Sequence, residues 1–145
     1  MSHVEDFLSA KQEQELIESI RLAEKNTSGE IRVHLERTTH KEPLERAVEV
    51  FHFLKMDETE QRNGVLFYVA VDDKKFSVVG DKGINQVVPD DFWNSVKDLV
   101  IGEFKKAHYT NGLKLGILEA GNKLKQYFPY KIDDINEIDD SISIG

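Results

Sequence analysis

The chain has 145 residues, 39% of them hydrophobic and 32% charged, with a formal net charge of −8 and no cysteine. That is the size of one domain with a packed core, and the missing cysteines exclude disulfides, zinc–thiolate centres, iron–sulfur clusters and a cysteine nucleophile. The acidic balance argues against a nucleic-acid partner, which needs a basic patch; it is compatible with cation binding, while solubility alone accounts for the same balance.

No apolar run approaches the roughly 20 residues that cross a bilayer. The opening MSHVEDFLSAKQ has neither the basic start nor the apolar stretch of a secretory signal. The expected setting is therefore soluble and cytoplasmic. Ser9 with Gln12 reads as a capping box, and Leu16, Ile17, Ile20 and Ala23 fall on one helical stripe. Asn26-Thr27-Ser28-Gly29 ends that helix. From Glu30 to Glu36 the chain alternates polar and apolar, with Ile31, Val33 and Leu35 on one face, which is a strand pattern. A second helix starts near Pro43, with Leu44, Ala47, Val48, Phe51 and Leu54 as its expected buried stripe.

Residues 55–63 form a charged connection. Gly64 to Val71 is then a β-branched and aromatic run, the mark of a central strand covered on both faces. Asp72-Asp73-Lys74 turns the chain into a hairpin partner, Lys75 to Gly80. A connection from Asp81 to Pro89 leads to a third helix with Asp90 at its N-cap and Phe92, Trp93, Val96, Leu99, Val100 and Phe104 on its apolar side. Tyr109-Thr110-Asn111-Gly112 interrupts the pattern, and a fourth helix carries Leu113, Ile117, Leu118, Leu124 and Phe128 up to Pro129. Residues 131–145 hold five acids against one lysine. They read as a solvated acidic tail, with the Ile142 and Ile144 alternation offering an edge strand as the alternative. The order α-β-α-β-β-α-α predicts an α/β fold, a three-layer αβα sandwich around a small mixed four-stranded sheet, in one domain over residues 1–130 with the tail beyond it.

The topology bears on chemistry. The first strand, second helix and next strand form a βαβ unit, which is ordinarily parallel and right-handed. Both strands then start at one sheet edge, and the hairpin returns Gly80 to that edge. Glu30, the loop with Asp57, Glu58 and Glu60, and the loop from Asp81 to Asp90-Asp91 converge there. Like charges so close repel, and a divalent cation relieves the repulsion. Calcium takes about 6–8 oxygens in flexible geometry, carbonyls included. The plainer reading of the same residues is a solvated acidic rim, with Asp90 as a helix cap and Asp81 as a turn residue. There is no EF-hand loop.

Four segments in order resemble the TPM domain family. They are Ser28-Gly29-Glu30-Ile31-Arg32-Val33, Thr59 to Ala70 with Asn63-Gly64-Val65-Leu66 at its heart, Gly80-Asp81-Lys82-Gly83-Ile84-Asn85 running on to Pro89-Asp90-Asp91-Phe92-Trp93, and Phe104 to Leu113 with Tyr109 and Gly112. The resemblance covers roughly residues 10–128. It implies an αβα fold in which two crossing loops bind divalent metal, calcium first and magnesium as the alternative. It marks Asp81, Asp90 and Asp91 as ligands, joined by Glu30 on geometry. Asp57 and Glu58 are weaker candidates in a loop that can instead offer carbonyls. Many relatives carry a signal peptide and a membrane anchor; this chain departs from that pattern, so it looks like a stand-alone, soluble version, and an envelope or photosystem role is not carried over. The expected function is a metal-responsive binding or regulatory module, whose protein partner is not identified.

Some relatives are described as acid phosphatases, which gives the alternative of a metal-assisted phosphomonoester hydrolase. Arg32 or Arg62 would then clamp phosphate oxygens. No P-loop or G-x-S-x-G elbow supports it, and Arg62 has the more ordinary role of pairing with Glu30 or Asp81. None of His3, His34, His40, His52 and His108 forms a metal pair or an H-E-x-x-H motif. No serine carries a nucleophile signature, and Phe92, Trp93 and Phe104 read as core.

Overall fold

A computed structural model describes residues 7–130 and 138–145. The capping box forms: Ser9 Oγ accepts the Gln12 N–H at 3.1 Å and Gln12 Oε1 accepts the Ser9 N–H at 2.9 Å, which opens helix α1 (Ala10–Glu24). Strand β1 (Glu30–Glu36), helix α2 (Pro43–Phe53), a 3-10 turn (Met56–Glu58) and the hairpin of β2 (Gly64–Ala70) and β3 (Lys75–Gly80) follow. A one-turn helix α3 (Lys82–Asn85) precedes α4 (Asn94–Phe104) and α5 (Tyr109–Leu124), and β4 (Ser143–Ile144) closes the chain.

The sheet runs β3-β2-β1-β4 and is mixed. Strands β1 and β2 are parallel, with Glu30 opposite Gly64 and Glu36 opposite Ala70. The hairpin is antiparallel, with Val65 opposite Gly80. Period-two alternation divides the side chains between two cores. Ile31, Val33, Leu35, Val65, Phe67 and Val69 meet Leu16 and Ile20 of α1, Val96 and Val100 of α4, and Leu113 and Ile117 of α5. Leu66, Tyr68 and Ala70 meet Ala47, Val50 and Phe51 of α2. The result is the expected αβα sandwich. Each fully buried Val, Leu, Ile or Phe contributes about 1.5–3 kcal/mol, so most of the stability resides in these layers.

Four expectations are adjusted. Tyr109-Thr110-Asn111-Gly112, read as an interruption, forms the first turn of α5, which ends at Leu124. The buried stripe of α2 is Ala47, Val50 and Phe51, while Leu44 and Val48 are exposed; the sheet touches a narrower stripe than the apolar residues define. The long third helix starts at Asn94 with Trp93 at its cap, not at Asp90. The Phe92 N–H donates to the Pro89 carbonyl and the Asn94 N–H to the Asp91 carbonyl, so residues 89–93 form tight turns. Those turns carry Phe92 into the core and Trp93 against it. In the tail, residues 131–137 lie outside the described residues. Beyond them, Ile138 and Ile142 are buried and Ser143–Ile144 pairs in parallel with β1, opposite His34 and Leu35. The edge-strand alternative holds for that segment.

Candidate functional site

The parallel pairing of β1 and β2 and the return of β3 bring three loops to one sheet edge. The loop before β1 is tied down by the Ser28 N–H, which donates to the Phe128 carbonyl at 2.9 Å. It meets the loop before β2 where the Glu30 N–H donates to the Asn63 carbonyl at 3.2 Å and the Gln61 amide donates to Ser28 Oγ at 3.3 Å. The loop after β3 crosses the same segment. Gly83 of α3 lies so close that a Cβ there would stand 2.3 Å from the Gln61 carbonyl oxygen and 2.5 Å from that of Arg62. Arg62 holds a left-handed backbone, φ 52°, which turns the chain under α3.

Asp81 is the centre of this crossing. Its side chain is 4% exposed. It stands at the N-cap of α3 and accepts the N–H of the first helical residue, Lys82, at 2.7 Å. Both of its oxygens face Arg62: Nε donates to Oδ2 at 2.9 Å and Nη2 to Oδ1 at 3.1 Å. This is the bidentate geometry that guanidinium and carboxylate favour. Hydrogen bonding to Asp81 raises the Arg62 pKa further above its ordinary value, and Asp57 adds a smaller electrostatic pull.

The other expected residues are spread around that centre. Asp57 stands by His52 of α2, with Oδ2 at 3.3 Å from Nδ1. Glu58, Asp90 and Asp91 are exposed. Glu30 is buried, and its charge acts on Glu24 at the end of α1. Thus the backbone convergence is present while the carboxylates stand apart. Among the described residues, no three His, Asp or Glu side chains group so as to hold a metal ion as they stand. The charge partner of Asp81 is the Arg62 guanidinium.

Two arrangements were not visible in the sequence reading. One adjoins the same edge: Glu24 hydrogen-bonds Asp140, and its Oε2 accepts the Ile31 N–H at 3.0 Å. Burial first, then the Asp140 bond and the charges of Asp140 and Glu30, push the Glu24 carboxyl up to about 9. Placing the Ile142–Ile144 alternation beside β1 would have brought Asp140 to this place. The other lies at the far end of β1, on the α2 face. Arg46 Nε and Nη2 donate to Glu36 at 2.9 and 3.1 Å, and the Tyr68 hydroxyl donates to the same carboxylate. His34 Nε2 lies 3.2 Å from Glu36 Oε1. Burial alone would raise Glu36, but the Arg46, Tyr68 and His34 hydrogen bonds outweigh it and hold the carboxyl at about 2. The signal was the polar half of the β1 alternation, which a helix on that face must bury.

These features define a class: an αβα domain whose β1, β2 and β3 loops cross around a buried carboxylate at one sheet edge. The TPM domain family model matches residues 2–123, and the chain belongs to the TPM domain family. It is similar to the BA42 protein of the psychrophilic bacterium Bizionia argentinensis, whose NMR structure shares 53% identity over 100% of both chains with a TM-score of 0.93. The N-terminal domain of a protein from P. gingivalis shares the fold, with 19% identity, a TM-score of 0.67 and coverage of 84% of this chain and 79% of that one. No curated protein matches. Among the described residues, no helix is long and apolar enough to cross a membrane.

Proposed function

We propose that the loop crossing takes up a divalent cation, calcium by preference and magnesium in second place, and that the domain works as a cation-responsive binding module. One observation carries the reading: Asp81 is a buried carboxylate at the crossing, and its described counter-cation is the 43% exposed guanidinium of Arg62. A buried carboxylate needs a charge partner. A half-exposed arginine can be exchanged for a divalent ion, which has twice the charge. Asp81 then anchors the ion, Asp57 supplies a second carboxylate from the loop that already acts on Arg62, and loop carbonyls complete the shell. Calcium suits such ligands because it accepts carbonyls and irregular geometry, whereas magnesium demands an octahedron and keeps its waters. Glu30 is left out of this set because its charge falls on the Glu24 side.

Amide NMR spectra of metal-free protein titrated with calcium test the reading. The expected result is shifts clustered at residues 55–64 and 80–92, weakened more by Asp81→Asn than by Asp57→Asn. Spectra unchanged at millimolar calcium would dispose of it. Turnover of an aryl phosphate lost in both Asp81→Asn and Arg62→Ala would instead assign the crossing to a metal-assisted phosphomonoester hydrolase.

A further inference from the structure

The segment from Ile138 to Gly145 lies along the β1 edge, with Ile138 in one core and Ile142 in the other. Two of its residues pair with β1, the Gly145 N–H donates to the Leu35 carbonyl at 2.9 Å, and Arg32 Nε reaches the Ser141 carbonyl at 3.4 Å. Each end of the segment also rests on a titratable group. At one end the Asp140 carboxyl, 12% exposed, bonds to the Glu24 carboxyl. Two carboxyl groups hydrogen-bond to each other only when one of them carries a proton. At the other end His34 Nδ1 meets Ser143 Oγ at 2.9 Å. Gly145 lies directly on the ring, since a Cβ there would stand 2.7 Å from His34 Nε2.

We propose that the Ile138–Gly145 segment is a pH-gated latch, closed over the β1 edge while the Glu24 carboxyl facing Asp140 carries its proton and His34 is neutral, and opened when either condition fails. Neither Asp81 nor Asp57 belongs to it.

The surrounding charges bias both groups. Glu24 is faced by Asp140 from the segment and by Glu30 from β1, with the Ile31 N–H as the opposing donor. Arg21 of α1 is 60% exposed and reaches Asp140 only at 3.7 Å. His34 is faced by Glu36 and Arg32 on β1, by Arg46 on α2 and by the stacked Tyr68 ring on β2. Burial is the main reason it is held neutral below its ordinary 6.5, and Arg46 and Arg32 add to that while Glu36 opposes it.

The signs follow from linkage. Docked, Glu24 titrates at about 9 against an ordinary 4.5. The part of that rise owed to the segment is lost on opening, so closure weakens as pH rises towards 9, by at most about tenfold per pH unit. His34, depressed when docked, weakens closure as pH falls below 6.5. The two slopes oppose each other between 4.5 and 6.5, so the latch is tightest under mildly acidic conditions.

Methyl NMR of the full chain from about pH 5 to about pH 9.5 tests the latch across both linkage slopes. Ile138 and Ile142 methyl signals are expected to move to solvated positions as pH approaches 9, while the Ile31 and Ile117 signals stay in place. Glu24→Gln, whose amide donates to Asp140 without titrating, is expected to keep the latch closed as pH approaches 9. Asp140→Asn tests the same pair from the other side and carries the experiment if the Ile31 signal shows that Glu24→Gln is misfolded. Ile142 signals that ignore pH in the unmodified chain overturn the proposal, as does opening near pH 9 in both variants just as in the unmodified chain.

Discussion

Gly83→Ala probes the crossing that the functional reading depends on. A Cβ at this position would stand 2.3 Å from the Gln61 oxygen, 2.5 Å from the Arg62 oxygen and 3.0 Å from the Arg62 carbonyl carbon. Ordinary carbon–oxygen contacts are about 3.3 Å or longer, so the loop before β2 or α3 must retreat by roughly an ångström. These are backbone atoms of two tethered segments and cannot rotate away. Overpacking of this kind costs about 1–3 kcal/mol. At about 3 °C per kcal/mol for a chain of this size, Tm falls by roughly 3–9 °C. The same retreat pulls Asp81, which caps α3, away from Arg62. Differential scanning calorimetry with amide spectra of residues 61, 62 and 81 reads both effects. A Tm within about 1 °C of the unmodified chain, with those amides unmoved, would refute the close crossing.

Other expectations concern separate features. Glu36, held at about 2, contributes stability that is complete above its ordinary 4.5 and is lost as pH falls through 2. The full linkage value is about 3 kcal/mol, reduced to about 1–2 kcal/mol because Arg46 is partly exposed and solvent screens the pair. Urea midpoints at pH 6 and pH 3 should therefore differ by less in Glu36→Gln than in the unmodified chain. Ala107 holds a φ of 61°, where a β-carbon is strained, so Ala107→Gly is expected to raise stability by about 0.5–1 kcal/mol in the same assay. Arg62→Gln, which removes the guanidinium from Asp81 while keeping a polar side chain, should tighten calcium binding severalfold by calorimetry; weaker binding would contradict the exchange of guanidinium for calcium.

Much of the architecture was readable because the periodicities are clean. Ile31, Val33 and Leu35 alternate, Ser9 and Gln12 cap α1, and the short Asp72–Lys74 turn forces a hairpin. The parallel pairing that brings Glu30, Gly64 and Gly80 to one edge followed from βαβ handedness. What escaped was set by tertiary packing. Whether Leu44 or Val50 of α2 is buried depends on the angle at which the helix meets the sheet, which a local pattern does not encode. The place of Asp90 was decided by Phe92 entering the core. The carboxylates of Asp57, Asp81 and Glu30 share an edge in backbone terms, yet Asp57 stands by His52, Asp81 is held by Arg62 and Glu30 is buried apart from both partners, and side-chain partners of that kind are not written in spacing.

The most direct test of the cation reading is an anomalous difference map from crystals grown with calcium or manganese. The expected result is an ion about 2.3–2.6 Å from an Asp81 oxygen for calcium, with the Arg62 guanidinium displaced towards solvent. A map without an ion at saturating metal, with Arg62 still bidentate on Asp81, would contradict it.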